Sequence, residues 1–159
     1  MEKVDRPIRY IVVHCDYTKP SMNTDIDFVR KIHVDDNGWR DVGYNYFIRR
    51  DGTVQEGRSL KLNGAHTLGR NTDSIGICIA GGMSKDGKPE DNVTPEQMMA
   101  VFKLFKEAKE IYPNIQLSGH NQWNKKPCPC FDVRDYAAKH GIKKTDVYHE
   151  DPLVELPKS

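Results

Sequence analysis

Six histidines and four cysteines are the residues of this 159-residue chain with the widest chemical reach. Two of the histidines stand where short apolar runs give out. His14 closes the run YIVVH, and His120 follows Leu117-Ser118-Gly119, where glycine permits a turn. A strand end aims a side chain rigidly while the adjoining loop leaves it accessible. Cys128 lies eight positions beyond His120 between Pro127 and Pro129, which restrict the backbone on both sides. His14, His120 and Cys128 would make a two-nitrogen, one-sulfur set suited to Zn2+. Three protein ligands leave the fourth tetrahedral position open for water, the catalytic rather than the structural arrangement. Spacing alone leaves a plainer reading open, three unrelated polar residues near strand ends, because the chain has no compact CxxC or HExxH pattern. His33 reads as a packed core histidine, His140 and His149 as solvated, and His66 as a loop residue that could line a cleft.

These residues must be held by a single domain, the number a chain of this length predicts. Lysine plus arginine number 24 and aspartate plus glutamate 23, a net charge of +1. That argues against recognition of nucleic acid or anionic membrane through bulk charge. No run approaches the roughly 18 apolar residues of a membrane span. The N-terminus MEKVDRPIRYIVVHC lacks the apolar segment of a secretory signal. The expected compartment of synthesis is therefore the reducing cytoplasm, with the cysteines as thiols or metal ligands.

The elements follow from pattern. Residues 9–15 read as a buried strand. Thr24 or Asp25 can cap a helix to about residue 36 with Ile26, Val29, Ile32 and His33 on one face, stopped by Gly38. Residues 44–49 and 53–56 form a hairpin about Asp51-Gly52. Residues 74–80 (SIGICIA) are a second buried strand. Thr94-Pro95-Glu96-Gln97 is a capping box with proline at the first helical position, and Pro113 ends that helix. Residues 115–118 are a short strand candidate. Asp132 caps a last helix over 133–140, stopped by Gly141. This is an α/β chain, a central sheet with about three helices on its faces, followed by a polar, loosely docked tail over 143–159.

Val13-His14-Cys15, Thr18-Lys19-Pro20-Ser21, Gly38-Trp39, Asp41-Val42-Gly43-Tyr44, Arg50-Asp51-Gly52-Thr53 and Gly64-Ala65-His66 occur in an order that resembles one family. So do Asn71, Ser74-Ile75-Gly76-Ile77, Gly81-Gly82, Thr94-Pro95, Gly119-His120 and Lys126-Pro127-Cys128-Pro129 with Phe131-Asp132. The chain is similar over residues 9–140 to the zinc-dependent N-acetylmuramoyl-L-alanine amidases of the type-2 amidase and peptidoglycan-recognition-protein family, and most of all to their coliphage members. The resemblance implies a mixed sheet with a zinc ion in an open cleft and hydrolysis of the amide between N-acetylmuramic acid and L-alanine. It implies His14, His120 and Cys128 as ligands, Tyr44 and Lys126 as catalytic residues, and His66, Asn71 and Arg40 as substrate contacts, with Trp39 nearby. Cys130 falls off the ligand position and stays open as a competing thiolate. Relatives that bind peptidoglycan without cutting it often lack the cysteine, so Cys128 favours catalysis over a binding module. The domain expected is residues 1–142, acting as a monomer. An amidase without a signal sequence fits a phage or prophage endolysin that reaches the wall after release by a holin-type partner.

Overall fold

A computed structural model describes residues 1–158. Strand β1 (Tyr10–Cys15) lies inside a five-stranded sheet, with β4 (Ser74–Ile79) and β5 (Gln116–Gly119) parallel to it on either side. β2 (Tyr46–Ile48) runs parallel to β4, and β3 (Val54–Glu56) closes the edge antiparallel to β2, so the sheet is mixed. Parallel strands covered on both faces need near-continuous apolar runs, which is what YIVVHC and SIGICI are, and β4 is buried at every position.

The pleat divides the residues between two cores. Ile11, Val13, Ile75, Ile77, Ile79 and Leu117 pack against α2 (Pro95–Ile111) and α3 (Val133–Lys139) through Val101, Phe102, Phe105 and Ala137. The opposite face carries a smaller cluster of Ile26, Val29, Val42, Phe47, Cys78 and Ala80 under α1 (Ile26–Arg30). His14 belongs to this second face, because it alternates with Val13 and Cys15. The expected capping box is present in both directions at Thr94 and Gln97, and Asp132 caps α3 through Arg134 N–H.

Two expectations change. The helix capped by Asp25 does not run regularly to residue 36. After Arg30 it widens into a π-helical stretch, Lys31–Asp36, closed by Asn37 N–H on Ile32 O at 2.9 Å. The wider winding breaks the apolar face, so Ile32 is exposed rather than packed with Ile26 and Val29. The segment after residue 143 is polar as expected but not loosely docked. Val147 is buried and bridges Leu117, and Tyr148 N–H donates to Leu117 O at 3.0 Å, extending the sheet edge beside β5. The Tyr148 ring stacks on Trp123 at 4.1 Å.

Candidate metal centre

Parallel register brings together residues that are far apart in sequence. Val13 pairs with Gly119, so His14 on β1 and His120 just beyond β5 stand side by side with ring centroids 4.3 Å apart. This is the carboxyl end of the parallel strands, the usual place for a site in such sheets. The loop after His120 delivers Cys128, whose sulfur accepts the Cys15 backbone N–H at 3.1 Å. Asn121, fully buried, fastens that loop by donating to Pro127 O and Phe131 O. One ligand atom from each of His14, His120 and Cys128 lies within 4.8 Å of the other two.

The hydrogen bonds leave one nitrogen of each histidine free. His120 Nε2 sits 2.8 Å from Asn124 Oδ1, which can only accept, so Nε2 carries the proton. His120 Nδ1 is then bare, and it is buried without a hydrogen-bond partner. An orphaned buried polar atom costs on the order of 1–3 kcal/mol, a cost that a metal ion at this nitrogen removes. His14 is held by a chain of groups. Its Nε2 lies 3.0 Å from Thr67 Oγ1 and 2.9 Å from His66 Nδ1, and Thr67 Oγ1 is 2.8 Å from the same His66 nitrogen. His66 Nε2 faces Ser74 Oγ at 3.3 Å, and that hydroxyl donates to Arg70 O at 2.6 Å. One proton order satisfies every member. His14 Nε2–H donates to Thr67, Thr67 donates to His66 Nδ1, His66 Nε2–H donates to Ser74, and Ser74 donates to Arg70 O. It leaves His14 Nδ1 bare as well.

Burial, reinforced by the neighbouring His120 and His66, holds His14 well below the usual histidine range. Burial likewise lowers His120, with Lys126 adding to the effect and Asn124 opposing it. His66 is pushed down to about 3, chiefly by burial. Neutral imidazoles and a thiolate are what metal ligation requires, and the outer partners fix ring tautomers as second-shell groups do. The donor set fits zinc.

Glycines make the closeness possible. A side chain at Gly76 would meet the His66 ring at 2.6 Å, so the glycine inside β4 is the floor on which His66 lies. Gly43 lets two loops meet, since a Cβ there would fall 2.1 Å from Ala65 O. Its N–H donates to His33 Nδ1 at 2.9 Å. His33 is thus half-buried and props the loop that carries Tyr44, a more specific task than core packing.

Tyr44 precedes β2 rather than lying in it, with its ring 5.0 Å from that of His14. Burial pushes its phenol well above the usual range. Lys126 is exposed, makes no ion pair among the described residues, and lines a groove of about 720 Å³ with His66, Thr67, His120 and Trp39. Asn71 also lines the groove, but its Oδ1 accepts the backbone N–H groups of His66 and Thr67, both at 2.8 Å. Arg40 is exposed and does not line the groove. Cys130 is wholly buried with its sulfur 4.0 Å from Cys15 Sγ, away from the cluster. Reasoning from sequence missed Thr67, Ser74 and Asn124; Gly76 in the middle of an apolar strand was the available signal.

The model of the family described as N-acetylmuramoyl-L-alanine amidase matches residues 4–131. An endolysin of Klebsiella phage KP32 is 40% identical over 136 residues, covering 86% of this chain and 89% of the relative. The structure of an endolysin N-acetylmuramoyl-L-alanine amidase from Clostridium intestinale superposes with a TM-score of 0.73 at 28% identity, covering 87% of this chain and 86% of that one. A peptidoglycan recognition protein solved with tracheal cytotoxin, a monomeric diaminopimelic acid-type peptidoglycan, superposes with a TM-score of 0.67 at 28% identity over 81% of this chain and 79% of its own.

Proposed function

The chain belongs to the N-acetylmuramoyl-L-alanine amidase family, and from that premise we propose that it is a zinc-dependent endolysin of the phage type, with His14, His120 and Cys128 as the metal ligands. It hydrolyses the amide that joins N-acetylmuramic acid to L-alanine in peptidoglycan. The observation that carries the zinc reading is the buried His120 Nδ1, left without a partner beside a second neutral histidine and a sulfur. Zinc held by these three residues would supply Lewis acidity toward the amide carbonyl and would lower the pKa of water to about 7.

The chain's own residues supply the rest. The Tyr44 phenol, raised by burial, stays protonated near neutrality and serves as a hydrogen-bond donor to the carbonyl oxygen as that oxygen gains charge. Lys126, two positions before Cys128, brings an ammonium to the groove. Removing a donor of this kind typically costs about 100-fold or more in rate. His66 acts first as the support of His14, and its remaining edge and Asn71 Nδ2 contribute to the groove wall. Arg40 contacts only substrate that extends beyond that groove. Residues 1–142 hold every metal ligand and catalytic residue of the amidase unit. Among the described residues no helix is long and apolar enough to cross a membrane; likeness to phage endolysins supports action at the wall, reached after release by a holin-type partner.

Metal analysis and a wall-clearing assay test this together. The purified protein should hold about one zinc per chain and clear purified peptidoglycan, and Cys128→Ala should lose both properties. A Cys128→Ala protein that keeps its zinc and activity would remove Cys128 from the centre.

A further inference from the structure

The groove beside the metal centre has an apolar wall that the family match supplies only in part. Three of the chain's exposed large hydrophobic side chains meet in it: Leu68 (84% exposed), Leu153 (49%) and Trp39 (38%). Leu153 comes from the C-terminal segment, beyond the last matched residue, 131. That segment is fastened to the turn His120–Gln122 that carries a metal ligand. Gln122 Nε2 donates to Tyr148 O at 2.9 Å and Glu150 O at 2.8 Å, and Leu153 N–H donates to Asn121 O at 2.8 Å. Arg134 on α3 braces the outside through His149 O and Asp151. The chain then bends at Leu153 and Val154: Pro152, Val154 and Leu156 turn toward α3, while Leu153 turns into the groove.

We propose that residues 147–153 form a fixed strap that is one rim of the substrate groove, and that Leu153 is a specificity-determining contact for the stem peptide. The inference rests on the amidase reading. Of the two halves of a muramoyl peptide, the peptide suits this surface better. Lys125 and Lys126 line the same groove and neither makes an ion pair among the described residues. Stem peptides bring carboxylates and short aliphatic side chains to such a mixture of ammonium groups and apolar surface, whereas the glycan is largely polar and brings neither in quantity.

The test is steady-state kinetics on two soluble substrates, a muramoyl pentapeptide and a muramoyl dipeptide, with Leu153→Ser and the conservative Leu153→Met. Because Leu153 is half-exposed and anchored through its backbone, neither change removes core packing. Leu153→Ser should raise KM for the pentapeptide about tenfold, the ordinary worth of newly covering half a leucine side chain. Its kcat should stay within about twofold, as expected for binding shared by ground and transition states. Leu153→Met should restore KM, and the dipeptide KM should move by less than about twofold, because the lost contact lies beyond the dipeptide. An unchanged pentapeptide KM overturns the inference. So does an equal rise on both substrates, which would place the contact on the muramoyl-dipeptide part they share rather than on the outer stem peptide, or a loss of zinc in Leu153→Ser, which would make the strap a support for His120. Failure of the unmodified protein to cut the pentapeptide at its muramoyl amide overturns the amidase reading instead.

Discussion

Replacing Thr67 by valine should weaken zinc binding about tenfold without disturbing the fold. Valine matches threonine in shape, so what disappears is one hydroxyl, the group that accepts from His14 Nε2 at 3.0 Å and reaches His66 Nδ1 at 2.8 Å. Loss of an outer partner of a metal-bound histidine typically costs about 10- to 100-fold in affinity. Here His14 Nε2 also lies 2.9 Å from His66 Nδ1, so a direct bond takes over part of the work. The expected loss is therefore at the low end, ~1.4 kcal/mol in binding. The metal-free protein should lose about 1 kcal/mol of stability, the net worth of one hydrogen bond. Competition against a calibrated chelator measures the affinity, and urea unfolding in chelator measures the stability. Thr67→Ser keeps the hydroxyl and should restore binding. A Thr67→Val affinity within twofold of the parent, or a Thr67→Ser protein as weak as Thr67→Val, would refute the view that this hydroxyl sets the His14 tautomer.

Lys126→Ala should retain its zinc and lose about 100-fold in kcat; normal turnover would remove Lys126 from the chemistry. Cys130→Ala should keep about one zinc per chain, because its sulfur faces Cys15 rather than the cluster; zinc loss in that variant, with retention in Cys128→Ala, would exchange the two cysteines' roles. The metal-free protein should destabilise as pH falls below the unfolded-state value of 6.5, since His66, held at about 3, stays neutral in the fold while the unfolded chain takes up protons. The contribution is fully present above that value and declines by about 1.4 kcal/mol per pH unit for each such histidine. Urea unfolding in chelator at pH 7.5, 6.5 and 5.5 reads it directly, and a flat profile would contradict the buried neutral assignment.

Much of the centre was legible because strand ends are legible. YIVVHC and SIGICI announce buried strands by composition, and His14 and His120 stand near the ends of two strands. The register that joins Val13 to Gly119 was not legible, since pairing is decided by the whole sheet rather than by either strand. Nor was the support of His14. Thr67 and Ser74 are ordinary hydroxyl residues in sequence and acquire meaning only when the loop folds over Gly76. The π-helical stretch leaves no mark in the pattern, because Ile26, Val29, Ile32 and His33 satisfy the helical period. Its wider winding turns His33 toward Gly43, a tertiary preference that local pattern does not encode. The strap's polar composition suggests a loose segment, yet many of its anchors are backbone groups, which have no signature in composition.

The most direct test of the account is product analysis of purified peptidoglycan digested with and without a zinc chelator. Cleavage at the muramoyl amide predicts new L-alanine amino termini, no new reducing sugar ends, and loss of both release and turbidity clearing in chelator with recovery on added zinc. New reducing ends, or undiminished release of L-alanine termini after the metal is removed, would contradict it.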